Sequence, residues 1–393
     1  MKKILYLNNI SSAALKAFTP DYELTKELNE ANAILVRSAN MLEMPLPKNV
    51  LAVGRAGAGV NNIPLEAYAK AGVVVFNTPG ANANAVKELT IAGMLLAARD
   101  IYHGMRWVED NKEDVDINKN MEKAKATFAG TEIAGKTLGI FGLGAVGALV
   151  ANAAGALGMK VYGYEPSAAT IEKNSCLFPS DITIVSSSDE IYSVADYISL
   201  NVPLLPATRG MINLESIAKM KDGVVILNLA RDAIVNDEDI KVALESKKVH
   251  KYVTDFPNFT SANMDGVIAM PHLGASTEEA EDNCAYMAAK QVIDFIENGN
   301  IVNSVNYPNI ELGHKLDAHR LVVLHQNLEG LGPNIIAITG AKAQVNAALT
   351  KVKNNFAVTL VEFEKPEQKC EEKICLSEEL AILPGVIRVR VIQ

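Results

Sequence analysis

Short apolar runs alternate with longer amphipathic stretches along most of the chain. The apolar runs are rich in Val, Ile and Leu and have the length of buried strands, whereas the stretches between them have the spacing of helices. Strands that alternate with helices predict parallel, doubly wound sheets. The predicted strands are Lys3–Leu7, Ala33–Arg37, Val50–Val53, Val73–Asn77, Leu138–Phe141, Lys160–Tyr164, Ile182–Val185, Tyr197–Leu200, Val224–Asn228, Tyr252–Thr254 and Val267–Met270. The predicted helices are Ser12–Ala17, Asn84–Arg99, Ala148–Leu157 and Asn283–Ile296.

The pattern changes in the last part of the chain. There, two helical stretches are placed among four strands in the order βαββαβ, which is typical of a ferredoxin-like fold. The segments are Leu321–His325, Gly332–Ala341, Val345–Val352, Ala357–Phe363, Ser377–Leu383 and Val386–Ile392.

The chain of 393 residues is long enough for two or three domains. We predict a discontinuous substrate-binding domain (flavodoxin-like, residues 1–90 and 285–318), a Rossmann domain (residues 91–284) and a C-terminal ferredoxin-like domain (residues 319–393). Segment Asn303–Tyr307 is expected to complete the first domain. The fold class is therefore α/β, with an active site expected in a cleft whose closure excludes water.

One stretch carries a dinucleotide-binding pattern. Strand Leu138–Phe141 is followed by the G-x-G-x-x-G residues Gly142, Gly144 and Gly147, and then by a helix. These glycines permit a tight turn, close approach of a pyrophosphate and close helix packing, and the helix N-terminus favours the phosphates. Glu165 ends the next strand and can accept hydrogen bonds from a ribose diol, which favours NAD over NADP. The alternative is a glycine-rich turn without a ligand.

A second glycine-rich loop follows the third strand. Its residues are Arg55, Ala56, Gly57, Ala58 and Gly59. Dense glycines let backbone N–H groups point at an anion, and an arginine can bind a second anionic group. The alternative is an ordinary turn with a surface arginine.

Three chemically active residues follow three predicted strands. Arg231, Asp255 and His272 come just after strand ends, where open α/β sheets bind ligands. Histidine is suited to proton exchange near neutral pH, and arginine binds carboxylates in bidentate fashion. Together with a nicotinamide, they fit hydride transfer to a 2-oxo acid. Asn201, Val202 and Pro203 follow another strand at the same expected edge.

Composition narrows the class of protein. Hydrophobic residues make up 49% of the chain, and the net charge of −9 argues against a nucleic-acid binder. The cysteines Cys176, Cys284, Cys370 and Cys375 lack metal-ligand spacing, so we expect reduced, structural thiols and no metal. No apolar run has the length of a membrane span or signal peptide, so a cytoplasmic location is expected.

These motifs resemble those of the D-isomer-specific 2-hydroxyacid dehydrogenases. The matching stretches, in family order, are RAGAGVNNI (55–63), GLGAVG (142–147), NVPLLPATRGMIN (201–213), LNLARDAIV (227–235) and PHLGAST (271–277). The resemblance implies that His272 is the acid/base and that Arg231 binds the substrate carboxylate and carbonyl. It also implies that the backbone of residues 55–59 holds the carboxylate, with Arg55 near a phosphate. The implied cofactor-binding residues are Gly142, Gly144, Ala145, Val146, Gly147, Glu165, Asn201, Val202, Pro203, Ala230, Asp255 and Gly274.

The segment after Asp255 departs from the family pattern. Members carry a Glu shortly after this position, which pairs with the histidine, but here the chain reads DFPNFT over residues 255–260. Asp265 is the one other acid before His272 and fits a turn. We expect a partner that is absent or supplied from elsewhere, and an acidic limb of the pH–rate profile that lies lower than in a Glu-paired relative.

The C-terminal segment resembles an ACT regulatory domain. HQNLEG (325–330) matches the H-x-N-x-x-G turn that binds L-serine at a dimer interface in some members. The resemblance implies a serine effector at His325, Asn327 and Asn346, and a homodimer or homotetramer. The alternative is a dimerisation domain without a ligand.

The substrate stays open between two classes. The Arg55 loop and the C-terminal extension favour 3-phosphoglycerate, with Lys123 and Lys125 as weaker phosphate ligands. An unphosphorylated acid such as glycerate, glyoxylate or 2-oxoglutarate is the alternative. A dinucleotide-sensing protein with the same fold but little chemistry is a more remote one.

Overall fold

The computed structural model describes residues 1–315, 317–364 and 371–393 of the chain. The described chain divides into two compact units, residues 1–81 with 281–393, and residues 82–280. The division into three domains with the boundaries given above stays a prediction. None of the helices described is both long enough and apolar enough to cross a membrane.

The first unit begins with a five-stranded parallel sheet. Its elements are β1 (Lys2–Tyr6), β2 (Tyr22–Thr25), β3 (Ala33–Val36), β4 (Ala52–Arg55), α1 (Leu65–Lys70) and β5 (Val74–Phe76). The order β2-β1-β3-β4-β5 is flavodoxin-like. Strand β2 was not predicted, because its sequence YELT is short and lies at a sheet edge. The predicted helix Ser12–Ala17 is a 3-10 helix.

The second unit contains a seven-stranded parallel sheet in the order β12-β11-β10-β9-β6-β7-β8. This is the order of a Rossmann fold with one added strand, so the prediction of two doubly wound sheets is confirmed. The unit contains the helices α2 (Ala83–Ala98), α3 (Ile101–Asp110), α4 (Ile117–Ala124), α5 (Ala145–Ala156), α6 (Ala168–Asn174), α7 (Ser188–Val194), α8 (Leu214–Ala218) and α9 (Asp237–Glu245). Its strands are β6 (Thr137–Phe141), β7 (Lys160–Tyr164), β8 (Thr183–Val185), β9 (Tyr197–Leu200), β10 (Val224–Asn228), β11 (Val249–Thr254) and β12 (Val267–Ala269).

The remainder of the chain returns to the first unit. Helix α10 (Glu278–Asn298) packs its apolar face on the five-stranded sheet, and the N–H of Val305 donates to the carbonyl of Val75 (2.9 Å). Segment 303–307 therefore extends that lobe, as predicted. A four-stranded antiparallel sheet follows in the order β14-β15-β13-β16. Its elements are β13 (His319–Gln326), α11 (Leu331–Gly340), β14 (Val345–Lys353), β15 (Phe356–Phe363), α12 (Glu371–Ala381) and β16 (Val386–Ile392).

The small antiparallel sheet is buried on both faces. Alternate residues of a strand point to opposite faces, so Leu321 and Val323 pack beneath α11 and α12. Val322 and Leu324 pack instead with α10 and the parallel sheet of the same unit. Arg388 and Arg390 reinforce this contact, because their guanidinium groups donate to backbone carbonyls of Val50 (2.8 Å) and Ile296 (2.9 Å).

The described cysteines differ in environment. Cys176 is exposed and Cys284 is buried, and both are free thiols. Burial raises the pKa of the Cys284 thiol. The expectation for Cys370 and Cys375 concerns side chains outside the described part of the chain.

Candidate active site

The turn after β6 has the geometry that the glycine pattern predicts. Gly142 has a φ of 87°, which an L-residue with a side chain rarely adopts. A Cβ on Gly147 would lie 1.9 Å from the carbonyl oxygen of Gly142, so α5 packs against the strand end only with glycine there. A Cβ on Gly144 would meet nothing within 4 Å. This open side lies where the first N–H groups of α5, which have no partners within the helix, can meet a phosphate.

The residues predicted around this turn lie at the carboxyl ends of neighbouring strands. Ala145 and Val146 form the first turn of α5. Glu165 follows β7, and its carboxylate accepts hydrogen bonds from the N–H groups of Leu143 (3.1 Å) and Ser167 (3.0 Å). Asn201 follows β9, and its N–H donates to the carbonyl of Phe141 (2.8 Å).

A pocket of about 430 Å³ opens beside the same strand ends. Gly142, Tyr164, Pro166 and Val202 contribute to its wall, together with residues of α7 and α8. Tyr164 and Pro166 flank Glu165 in sequence, so the pocket lies close to the end of β7. Its place at the strand ends suits part of a dinucleotide.

A buried carboxylate marks the end of β11. Asp255 is 1% exposed, and its Oδ2 accepts a hydrogen bond from the N–H of Gly274 (2.8 Å). Its Oδ1 is also buried and has no hydrogen-bond partner among the described residues. Burial raises the pKa of Asp255, and the Gly274 N–H, His272 and Arg231 partly offset that effect. Such an orphaned acceptor fits a ligand that brings an N–H donor, as the carboxamide of a nicotinamide does.

The arginine of the site is positioned by a residue that the motifs did not indicate. Asn228 is buried at the end of β10, where its Nδ2 donates to the carbonyl of Arg231 (2.8 Å) and to the hydroxyl of Tyr252 (3.1 Å). Its Oδ1 accepts from the N–H groups of Ala230 and Arg231 (3.3 Å each). In the sequence, the one sign of this role is the polar Asn228 at the end of an otherwise apolar strand, VVILN.

The histidine follows β12 in a strained conformation. His272 has a φ of 50°, in the left-handed region that non-glycine residues seldom occupy, and its N–H donates to the carbonyl of Asp255 (2.8 Å). Its ring centroid lies 4.4 Å from that of Phe256, and the Cζ of Arg231 lies 5.4 Å from the same Phe256 centroid. Arg231 and His272 are thus gathered around one aromatic ring, with Asp255 directly before it in sequence.

The Arg55 loop lies in the first unit, after β4. Gly57 has a φ of 142°, and a Cβ there would lie 1.6 Å from Nη1 of Arg55. The guanidinium group therefore folds over the backbone of its own loop, in space that only glycine leaves open. The N–H of Thr78 donates to the carbonyl of Gly57 (3.1 Å), and Nδ2 of Asn77 donates to the carbonyl of Ala58 (2.7 Å). These two hydrogen bonds hold the loop in place.

The two weaker phosphate candidates lie in the second unit. Lys123 is in the last turn of α4, and Lys125 follows it. Lys125 pairs with Glu122 on the surface. This ion pair makes Lys125 a poorer candidate than Arg55.

The three predicted effector residues are not brought together within one chain. His325 is buried, its Nδ1 donates to the carbonyl of Gln326 (2.8 Å), and its Nε2 lies 2.9 Å from Oγ1 of Thr359. Asn327 is exposed beside the turn at Asn354. Asn346 is exposed at a bulge of β14, at the opposite end of the sheet.

The comparisons with known proteins identify the family of the chain. Residues 91–274 match the model of the D-isomer specific 2-hydroxyacid dehydrogenase NAD binding domain, which confirms the predicted NAD-binding domain. D-3-phosphoglycerate dehydrogenase of Rattus norvegicus is 35% identical over 293 residues, 72% of this chain and 52% of that protein. The chain thus spans about half the length of such relatives.

Two further matches cover more of the compared protein. Hydroxypyruvate reductase of Thermotoga maritima is 36% identical over 271 residues, 66% of this chain and 83% of that protein. The structure of NAD+-bound 3-phosphoglycerate dehydrogenase from Entamoeba histolytica matches with a TM-score of 0.60 at 28% identity, over 79% of this chain and 99% of that one. The chain therefore belongs to the family of D-isomer specific 2-hydroxyacid dehydrogenases.

Proposed function

We propose that the protein is an NAD-dependent dehydrogenase that oxidises 3-phospho-D-glycerate to 3-phosphohydroxypyruvate, the first step of L-serine biosynthesis. The observation that carries the chemical part is the grouping of Arg231 and His272 around Phe256, next to a buried Asp255 carboxylate with one unused oxygen. An acceptor for the nicotinamide carboxamide, a carboxylate clamp and a proton acceptor are the three groups that the reaction needs.

Each residue has a separate task in this proposal. NAD, when bound, accepts the hydride from C2 of the substrate. His272 takes the proton of the C2 hydroxyl, so the O–H and C–H bonds break as the carbonyl forms. Arg231 holds the carboxylate and the C2 oxygen, and Asp255 Oδ1 accepts a hydrogen bond from the nicotinamide carboxamide. Glu165 binds the ribose diol, and the first turn of α5 binds the pyrophosphate.

The substrate assignment depends on the Arg55 loop. The backbone of residues 55–59 is proposed to hold the carboxylate end through the N–H groups of Ala58 and Gly59, and the Arg55 guanidinium to bind the phosphate. The N–H groups of Ala56 and Gly57 already donate to the carbonyls of Val36 (2.8 Å) and Arg55 (2.9 Å). The fold of the guanidinium over Gly57 supports this, because it keeps a cation beside the loop backbone.

The second candidate function is reduction of an unphosphorylated 2-oxo acid. The specific observation in its favour is the match to a hydroxypyruvate reductase over 83% of that protein. Under this alternative the Arg55 loop would bind only a carboxylate.

The deciding experiment is NADH consumption with 3-phosphohydroxypyruvate beside hydroxypyruvate, glyoxylate and 2-oxoglutarate. We expect the phosphorylated acid to have the highest kcat/KM, and Arg55→Ala to raise its KM about tenfold or more while the KM values for unphosphorylated acids change less. Arg37→Ala is the matched control, because Arg37 is a half-exposed arginine of the same unit that pairs with Glu281 (2.6 Å). Equal or faster turnover of the unphosphorylated acids would establish the alternative.

We further propose that L-serine is an effector of the ACT-like segment, at His325, Asn327 and Asn346. Exposure of both asparagine side chains supports this, and the buried His325 supports the Asn327 loop through the Gln326 carbonyl. Because Asn327 and Asn346 lie at opposite ends of the sheet, one serine would have to bind between two copies of the chain. Calorimetric titration with L-serine tests this, with Asn327→Ala and D-serine as controls. Absence of binding heat and of inhibition would contradict it.

We also propose a homodimer that forms through α3 and α4. Both helices are amphipathic and have no buried residue, and Tyr102, Met105 and Val108 are more than half exposed. An exposed apolar surface of this kind fits a second copy of the chain, because most soluble oligomers are symmetric assemblies of one chain. Sedimentation equilibrium of the wild type and of Met105→Glu tests it: we expect a dimer that the substitution dissociates, and a monomeric wild type would overturn the proposal.

A further inference from the structure

Both residues proposed to handle the substrate share one aromatic neighbour. The ring centroids of His272 and Phe256 are 4.4 Å apart, with 43° between the ring planes. The guanidinium carbon of Arg231 lies 5.4 Å from the same Phe256 centroid. Phe256 thus contacts the side chains that follow β10 and β12, while its own position follows β11.

The backbone holds Phe256 at this point. Its N–H donates to Oγ1 of Thr254 (3.0 Å), the last residue of β11, and Asp255 between them is fixed by the Gly274 N–H. The aromatic side chain is half-buried, whereas Phe259, three residues later in the same loop, is 90% exposed. Phe256 is therefore part of a defined turn, and the ring has a fixed place between the two strand ends.

The imidazole of His272 has no polar partner within the described chain. Its ring nitrogens form neither a hydrogen bond nor an ion pair with any described side chain. Asp255 interacts electrostatically with both His272 and Arg231 across the neighbouring strand ends. Asp255 Oδ2 already accepts from Gly274, and its Oδ1 has no partner in the described chain, the histidine included. The contact with Phe256 is thus the side-chain interaction left to orient the imidazole.

We propose that Phe256 is a positioning residue that takes over the orienting task of a hydrogen-bonded carboxylate. Its ring fixes the imidazole plane of His272 and holds the Arg231 guanidinium by a cation–π contact. The ring face favours the protonated imidazole but accepts no proton from it, so the proton remains available to the substrate oxygen. His272 is an exposed residue in a left-handed backbone conformation, so the ring contact restricts orientations that its side chain would otherwise be free to adopt.

This inference rests on the proposed dehydrogenase function, and Phe256→Leu tests it. Leucine keeps the apolar volume but removes the aromatic face. We expect kcat to fall about tenfold or more, since small misplacements of reacting groups are costly. For oxidation of the hydroxy acid, where His272 must accept the proton, we also expect the acidic limb of the pH profile of kcat/KM to move to lower pH, because the protonated imidazole loses a favourable neighbour.

Two matched variants separate positioning from general stability. Phe256→Tyr keeps the ring and should stay within about threefold of the wild type in kcat, with an unchanged acidic limb. Phe259→Leu changes the exposed phenylalanine of the same loop and should leave both unchanged. A Leu variant with wild-type kcat and pH profile overturns the proposal, and so does an equal loss in the Leu and Tyr variants.

A nuclear magnetic resonance measurement keeps the proposal testable without turnover. The ring current of Phe256 should displace the His272 imidazole proton signals, and the displacement should vanish in Phe256→Leu and persist in Phe256→Tyr. If the wild type reduces none of the four acids but these signals behave as expected, the proposed function fails and the ring contact stands. If the signals do not change in Phe256→Leu, the positioning proposal fails whatever the activity.

Discussion

The strand ends are arranged differently in the seven-stranded parallel sheet and in the four-stranded antiparallel sheet. In the parallel sheet, the residues after β6, β9, β10, β11 and β12 all emerge at one edge, since every strand runs the same way. In the antiparallel sheet, neighbouring strands run in opposite directions. Asn327, which follows β13, lies next to Phe356, and Asn346, at the start of β14, lies next to Phe363, roughly 24 Å apart along β15. Residues that follow strands therefore emerge at one edge of the first sheet and at two opposite edges of the second.

A histidine that follows a strand, His272, and one that lies within a strand, His325, make this difference measurable. We expect His272→Asn to lower kcat by about 10²- to 10⁴-fold, the usual contribution of a general acid/base, with little change in the Kd of NADH. We expect His325→Asn to leave kcat within about twofold in the absence of effector, because its ring nitrogens bond within the small sheet. Stopped-flow reduction of the preferred 2-oxo acid measures both. A His272 variant within tenfold of the wild type would remove the proposed acid/base.

Two glycines of the Gly142 turn sharpen the comparison further. Gly147→Ala places a Cβ 1.9 Å from a backbone oxygen, so α5 must shift, and we expect a loss of about 1–3 kcal/mol in the free energy of unfolding. Gly144→Ala meets no atom within 4 Å, so we expect unchanged stability but weaker NADH binding, because the methyl group enters the space proposed for the phosphates.

Chemical denaturation and NADH fluorescence titration check this pair. The expected pattern is a stability loss in one variant and an affinity loss alone in the other. If Gly144→Ala binds NADH as tightly as the wild type, the pyrophosphate does not approach at that glycine.

Asp255 allows a pH-dependent stability test at the edge of the parallel sheet where the strand ends meet. Burial raises its pKa in the folded protein above the ordinary value of 3.8, so the folded state binds the proton more tightly than the unfolded state does. The free energy of unfolding therefore decreases as the pH rises from the pKa of Asp255 in the unfolded state through its pKa in the folded state. The destabilisation by the ionised carboxylate is fully present at neutral pH.

Asp255→Asn removes this cost while an amide oxygen still accepts from Gly274. We expect the stability of the variant relative to the wild type to increase from pH 4 to pH 7, and the KM for NAD to rise. Asp232→Asn, at an exposed carboxylate that follows Arg231, is the control. A variant whose relative stability does not change with pH would show that burial of Asp255 carries no such cost.

Local sequence signals predicted the parallel part of the fold well. The apolar runs located the parallel strands except β2, and the strand ends indicated Arg231, Asp255 and His272 because a parallel sheet collects them at one edge. Asn228 and Phe256 were not predicted. Their contacts link turns that are far apart in sequence, and neither residue type by itself distinguishes a positioning role from a structural one. The rule that strand ends gather into one site does not extend to the predicted effector residues. β13 and β14 run in the same direction on either side of β15, but Asn327 follows the end of β13 whereas Asn346 lies at the start of β14.

The smallest expected effect concerns a row of hydrogen-bonded polar side chains in the small sheet, formed by His325, Thr359 and Thr350. The Gln326 carbonyl can only accept, so His325 Nδ1 carries the proton and Nε2 accepts from the Thr359 hydroxyl, which in turn accepts from that of Thr350 (2.9 Å). Burial lowers the pKa of His325 below its ordinary 6.5, so the folded state binds this proton less tightly than the unfolded state does. Stability contributed by the neutral histidine is present above pH 6.5 and is lost as the pH falls toward the folded pKa.

His325→Gln should therefore cost about 1 kcal/mol at pH 7.5 for a lost hydrogen bond, and the cost should shrink at pH 5.5, where the wild type itself is weakened. Urea unfolding of both proteins at the two pH values measures the difference, with His250→Gln as a control at an exposed histidine outside the small sheet. If His325→Gln lowers the free energy of unfolding equally at the two pH values, protonation of the histidine does not destabilise the folded state. Nε2 would then donate to Thr359, and the hydroxyl groups of the row would exchange donor and acceptor roles without a loss of stability. The antiparallel sheet would in that case tolerate a buried charge. It would then differ from the parallel sheet, which contains Asp255, only in where its strand ends are placed.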